Sequence, residues 1–192
     1  MLRLFTDTDT DITPEIAKKY GYNLISMPYT VDGKDIYPYE DFETFDSKAF
    51  YDMLRGGTIP STSALNPAKY TAYFEPVFAA GDDILYVHFS SAMSATFGFM
   101  ELAMKKLRER YPERKLYTVD TKGITLGSFN IVEEIGDMYL AGKTVEEILE
   151  CQRPRSTNSP RTFTRMTLNS SKNRDGSADL PPLWDPLSGS DP

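Results

Sequence analysis

The sequence predicts an α/β fold, a parallel sheet with helices on both faces, and three observations carry that prediction. The first is Ile84-Leu85-Tyr86-Val87-His88-Phe89, a largely apolar run of strand length that follows the turn signal Gly81-Asp82-Asp83. A run without polar alternation suits a strand buried on both sides. The second is the alternation of strand-like and helix-like stretches through residues 1–150, the pattern of parallel strands joined by helices. The third is that four strand-like stretches end in hydroxyl or acidic residues: Thr6-Asp7-Thr8, Ser61-Thr62-Ser63, Ser90-Ser91 and Asp120-Thr121. Ligands of open parallel sheets bind outside the carboxyl ends of the strands, so one rim is expected to gather all four.

Each element has a local reason. Leu2-Arg3-Leu4-Phe5 is a short strand running into the Thr/Asp alternation of residues 6–11. Thr13 reads as an N-cap with Pro14 in the first helical position; Ile16, Ala17 and Tyr20 form the apolar side, and Gly21 stops the helix. Asn23 to Pro28 is the second strand, and Asp32-Gly33 turns a small hairpin between Tyr29-Thr30-Val31 and Lys34–Tyr37. A helix from Phe45-Asp46-Ser47 ends at Gly56-Gly57. A brief strand near Ile59 leads through Ser61-Thr62-Ser63 to a helix capped by Asn66-Pro67, with Tyr70, Tyr73, Phe74 and Val77 inward. After the central strand a helix carries Met100, Leu102, Ala103 and Leu107 on one side and ends near Tyr111-Pro112. Lys115 to Asp120 is the next strand, Ile124 to Leu140 the next helix, and Thr144 with Glu147 forms the capping box of the last.

Composition narrows the function classes. The net charge of -7 divides into -9 for residues 1–150 (15 basic, 24 acidic) and +2 for residues 151–192 (six basic, four acidic). An acidic body argues against electrostatic binding of nucleic acid. Of 24 aromatic residues only Phe163 and Trp184 lie beyond residue 150, so the composition changes there. One cysteine, Cys151, rules out an internal disulfide framework, and the early Asp7 interrupts any signal-like run. A cytoplasmic protein without a membrane span is expected.

The turn Ser90-Ser91-Ala92-Met93-Ser94-Ala95-Thr96 reads in two ways. A strand ending in serines at a helix N-terminus offers donors to a carboxylate or phosphate. Serines also cap helices routinely, which would leave Ser91 or Ser94 without a ligand. Asp7-Thr8-Asp9-Thr10 after a short strand matches the DxDxT nucleophile motif of haloacid-dehalogenase-type phosphatases, with Asp7 as nucleophile and Asp9 as general acid/base. That chemistry needs Mg²⁺ on an acidic pair after a later strand, whereas Asp82-Asp83 precedes its strand. His88, the single histidine, reads as a core residue rather than a catalyst. No clustered metal-ligand spacing or glycine-rich phosphate loop is present, so no metal or cofactor is expected.

Four motifs in order across residues 1–150 resemble the DegV family of bacterial fatty-acid-binding proteins, the acyl-carrying subunits of fatty-acid kinase. Phe5 to Pro14 resembles the family's TDSTxDLPP opening, Ile59-Pro60-Ser61-Thr62-Ser63 its PTTSQPS segment, Ser90 to Thr96 its SSGLSGT segment, and Val119-Asp120-Thr121-Lys122 its VDSK segment. The resemblance implies a non-catalytic carrier that presents a long-chain carboxylate to a separate kinase. It maps the carboxylate contacts onto Thr62 and Ser91, with neighbouring Ser63 and Ser90, and a supporting rim of Asp7, Thr8, Ser94, Thr96, Asp120 and Thr121. Departures are Ala64-Leu65-Asn66 for Gln-Pro-Ser, Ala92 and Ala95 for both glycines of the third segment, and Gly123 for the serine that follows VDSK.

The resemblance also implies a second domain beyond residue 150, with an arginine in a KSGR segment, that completes an apolar tunnel. The sequence there is polar and Pro/Ser-rich instead. Taking the last base of each codon with the first two of the next, Thr164 to Asp179 permits A-D-D-L-K-F-F-K-K-S-G-R-V-S-G. Met166-Thr167 forces Asp in that reading, and Asp175-Gly176 allows only Arg or Trp. Residues 151–192 are therefore expected to be an out-of-frame, disordered tail that truncates the carrier, impairs its binding and leaves an apolar face exposed.

Overall fold

A computed structural model of the chain describes residues 1–152; Cys151 and Gln152, expected to open the tail, end the last helix instead, and the rest of the expected tail lies outside the described residues. Four parallel strands form the main sheet: β1 (Leu2–Asp7), β2 (Tyr22–Ile25), β6 (Asp83–His88) and β7 (Leu116–Asp120), in the order β2-β1-β6-β7. Between β2 and β6 the chain forms β3 (Tyr29–Val31), β4 (Lys34–Ile36) and β5 (Ser61–Thr62), a separate antiparallel sheet in the order β4-β3-β5. The helices are α1 (Pro14–Tyr20), α2 (Ser47–Arg55), α3 (Pro67–Ala79), α4 (Thr96–Arg110), α5 (Leu126–Leu140) and α6 (Val145–Gln152).

Strand β6 explains the two-sided core. Ile84 and Tyr86 pack with Phe5 of β1, Tyr70, Phe74 and Phe78 of α3, and Met100, Met104 and Leu107 of α4. Leu85 and Val87 point the other way, into Leu4, Tyr20, Val119 and Val132 with Ile135 of α5 and Ile148 of α6. All four are fully buried, so helices cover both faces as the apolar run predicts.

The caps follow the sequence. Thr13 Oγ1 accepts from Ile16 N, and Gly21 closes α1 in the left-handed conformation with φ 76. Asn66 caps α3 through Lys69 N at 2.9 Å. Thr144 and Glu147 exchange both bonds of the capping box, at 2.8 and 3.2 Å.

Three expectations change. Ser61-Thr62 is not the end of a parallel strand: it pairs with Tyr29 and Thr30 in the small sheet, so the main rim collects three of the four polar stretches. α4 begins at Thr96 without a side-chain cap, because Ser90 and Ser94 spend their oxygens on the turn's own N–H groups, of Ala92 and Thr96. Leu102, expected inward, is 53 % exposed, and Met104 takes the inward position.

Candidate functional site

The strand order fixes where a site forms. From β1 the chain winds to β2 on one side, and from β6 it winds to β7 on the other. The crevice at the carboxyl ends of β1 and β6 is thus the topological switch point, the usual ligand position in such sheets. Asp7 ends β1 there, and Phe89-Ser90-Ser91 follows β6.

Hydrogen bonds from residues distant in sequence tie the four motif segments together. Asp7 Oδ2 accepts from the Tyr86 hydroxyl at 2.9 Å and from Phe89 N at 3.2 Å. Ser90 N donates to Gly123 O at 2.7 Å, Thr121 N to His88 O at 3.1 Å, and Thr125 N to Asp9 O at 2.9 Å. Thr96 Oγ1 accepts from Leu65 N at 3.1 Å and meets the Tyr70 hydroxyl at 3.0 Å, which ties the chain just after Thr62–Ser63 to the start of α4. Thr8 Oγ1 accepts from Met27 N, and Thr121 Oγ1 meets Ser128 Oγ at 2.8 Å. The supporting-rim residues Asp7, Thr8, Ser94, Thr96 and Thr121 therefore hold the rim's shape.

Exposure separates the four carboxylate candidates. Thr62, Ser63 and Ser91 are exposed, whereas Ser90 is buried. Ser91 is engaged from within: its hydroxyl donates to Asp120 Oδ2 at 2.5 Å and its N–H donates to Oδ1 at 3.3 Å. Lys122 N and Nζ reach the same carboxylate at 3.0 and 3.2 Å. Burial pushes the Asp120 carboxyl up, but these donors outweigh it and hold the group down at about 2. The fully buried Asp7 goes the other way. Burial, reinforced by the charge of Asp9, pushes it up to about 8 against the pull of Tyr86, Phe89 N and Asp9 N. Its Oδ1 is buried without a hydrogen bond.

The phosphatase alternative loses its nucleophile here. Asp7 has no solvent exposure, and one of its oxygens is committed to Tyr86 and Phe89, so no phosphorus can reach it in line. Among the described residues, no group of three or more His, Cys, Asp or Glu side chains is placed to hold a metal ion. His88 is buried, gives Nδ1–H to its neighbour's carbonyl, Phe89 O, at 2.7 Å, and lies 4.1 Å from the Phe97 ring. Burial holds its pKa below the ordinary value, with the Phe89 carbonyl opposing, so the ring is a neutral core group.

Sequence reasoning missed three participants. Tyr70 and Tyr86 read as core aromatics, yet their hydroxyls contact Thr96 and Asp7. Lys122 reads as part of a motif, but its left-handed backbone, φ 57, lets it turn back on Asp120. The Asp120-x-Lys122 spacing carries a signal for that turn, since a carboxylate commonly accepts from the N–H two residues on. Nothing local marks the tyrosines.

A family model described as "Uncharacterised protein, DegV family" matches residues 1–170. A DegV domain-containing protein of Clostridium perfringens is 34% identical over 145 residues, 76% of this chain and 50% of the relative. Another from Lactococcus lactis is 28% identical over 148 residues, 77% of this chain and 51% of the relative. The chain thus spans about half the length of the curated relatives it matches. Among solved structures, a fatty-acid-binding DegV family protein from Thermus thermophilus superposes with TM-score 0.64 at 22% identity, covering 78% of this chain and 51% of its own. A stearic acid-binding protein from Eubacterium ventriosum gives TM-score 0.70 at 17% identity with the same coverage, 78% and 51%. At these identities the likeness establishes the fold, and the match over residues 1–170 establishes the kinship: this chain belongs to the DegV family.

Proposed function

We propose that this chain binds the carboxylate of a long-chain fatty acid at the rim between Thr62-Ser63 and Ser90-Ser91 and presents it to a separate fatty-acid kinase. It is a cytoplasmic carrier and performs no catalysis itself. The observation that supports this reading is the Leu65 N–Thr96 Oγ1 bond, which ties the chain just after the exposed Thr62 and Ser63 to the start of α4. Fatty acids named for the solved relatives support the ligand class. Exposed apolar side chains in the flanking segments, Ile59, Met93, Ile124 and Leu126, suit an acyl chain laid against the same rim.

A buried CH₂ is worth about 0.8 kcal/mol, so most of the affinity for a long acyl chain comes from its walls. Residues 1–152 supply the head-group end and part of the wall, and the remainder falls to a second domain. The out-of-frame reading permits a stretch resembling that domain's KSGR segment across Thr164 to Asp179. Resequencing the DNA across codons 140–170 tests it: one missing or extra base restores the second domain, and an intact frame means that the tail is real and that carriage rests on the ligand measurements alone.

Calorimetric titration with oleate, after native mass spectrometry for acyl chains carried through purification, tests the ligand. A hydrogen bond to a charged group contributes about 1.5–3 kcal/mol, so Thr62→Val is expected to weaken oleate binding about tenfold or more. Ser91→Ala should act in the same direction, and Thr62→Ser should restore most of the affinity. Thr62 is exposed and its side chain makes no hydrogen bond among the described residues, so the unfolding midpoint of Thr62→Val should stay near wild type, whereas Ser91→Ala also loses the bond to Asp120 and its midpoint should fall. Oleate affinity indifferent to both substitutions would remove these hydroxyls from the site.

A further inference from the structure

Building on the carboxylate-binding reading above, we infer that Asp120 is a resident occupant of the anion cradle at the Ser91 turn, so that a ligand carboxylate enters by exchange with an internal one. Four donors converge on Asp120: the Ser91 hydroxyl at 2.5 Å, Ser91 N at 3.3 Å, Lys122 N at 3.0 Å and Lys122 Nζ at 3.2 Å. Two backbone N–H groups, a hydroxyl and an ammonium are the set that recognises a free carboxylate. The cradle is reachable, since Ser91 is exposed and the Asp120 side chain retains 21% of its surface.

Proton counting sets the competition at the cradle. A serine hydroxyl has one proton, and here Asp120 takes it. A ligand carboxylate arriving beside a seated Asp120 meets like charge, and the Ser91 donors are already spent. Thr62 and Ser63 carry no such internal partner: their side chains are exposed and make no hydrogen bond among the described residues. They receive the ligand first, and Ser91 joins as Asp120 swings outward. The strong ionisation of Asp120 agrees with a seated carboxylate. Asp120 thereby sets the affinity of the site and favours head groups that can outbid a carboxylate for two N–H groups and a hydroxyl.

Asp120→Asn separates the parts. Its amide oxygen can still accept from Ser91 N and Lys122 N, which preserves the turn, while the amide nitrogen in place of Oδ2 cannot accept from the Ser91 hydroxyl. In the 192-residue chain, sodium acetate at tens of millimolar is expected to shift the Ser91 and Lys122 amide resonances of the variant and to leave those of the wild type unmoved. Oleate should bind the variant about tenfold more tightly than wild type, whereas methyl oleate, which has no charge, should bind both alike. Asp120→Asn frees the Ser91 hydroxyl alone, and Asp120→Ala, which also frees Ser91 N and Lys122 N, tests the fully emptied cradle and serves if Asp120→Asn does not fold. Acetate shifts that are absent in both proteins, or equal in both, overturn the inference, as does weaker oleate binding by the variant. Acetate shifts confined to the variant, with no oleate bound by either protein, uphold the cradle and defeat the long-chain reading instead.

Discussion

Replacing Asp7 by asparagine should make the chain's stability far less dependent on pH, with the two proteins diverging as the medium becomes alkaline. The Asp7 carboxyl is pushed from 3.8 to about 8, chiefly by burial. An unfolded chain releases this proton near pH 4, whereas the folded chain keeps it until about pH 8. Between those limits the folded state binds more protons, so stability is full below pH 4 and falls as pH rises, by about 1.4 kcal/mol for each unit. Asparagine mimics the protonated form: its oxygen can accept from Tyr86 and Phe89 N as Oδ2 does. It has no proton to lose, so at pH 9 the variant should exceed wild type by an amount on the order of a few kcal/mol, and at pH 4 the gain should vanish.

Other groups complicate the absolute curves and cancel in the difference. Asp9 is also raised, by burial and then by Asp11, and adds slope of the same sign. His88 is lowered by burial, so its contribution runs the opposite way, rising with pH up to its ordinary value of 6.5. Asp120 is held low and acts below pH 4. All three remain in Asp7→Asn, so urea midpoints of both proteins at pH 5, 7 and 9 isolate Asp7. A stability difference that stays constant across that range would show that Asp7 ionises normally in the folded chain.

Asp7 also shows what the sequence reveals and what it hides. Its place at the end of a short strand is legible, because Leu4 and Phe5 alternate into two cores and the Thr/Asp stretch follows. Its burial is not, because a polar residue at a strand end reads as solvent-facing unless a partner such as Tyr86, 79 positions away, is known. The caps at Thr13, Asn66 and Thr144 are legible because each is satisfied within three residues. Ser61-Thr62 pairs with Tyr29-Thr30 more than thirty residues earlier, and two residues carry too little periodicity to announce that pairing. Ser91 and Asp120 both stand out as candidates, yet their bond depends on the β6–β7 register that sets His88 opposite Asp120.

Gly136→Ala tests a contact with no such signal and should be destabilising, although it sits in the middle of a helix. On propensity alone, alanine in place of glycine inside α5 would gain about 1 kcal/mol. A methyl group there would lie 2.5 Å from Tyr20 Cγ and 2.6 Å from Cδ1, the stiff root of a ring rather than a side-chain tip that can swing away. Tyr20 is 2% exposed and packs edge-on against Tyr22, whose hydroxyl is bound to Val132 O of α5 at 2.9 Å. Neither ring has room to retreat, so α5 must move off α1. Overpacking of this kind costs about 1–3 kcal/mol and outweighs the propensity gain. The displacement should also reach the rim, because α5 begins beside Thr125, whose N–H holds Asp9 O, and carries Ser128 against Thr121. The unfolding midpoint in urea is expected to fall for Gly136→Ala, and Tyr20→Leu, which removes the ring, should recover part of the loss when the two are combined. A rise in the single variant would mean that the ring yields to the methyl and that helix propensity governs this position.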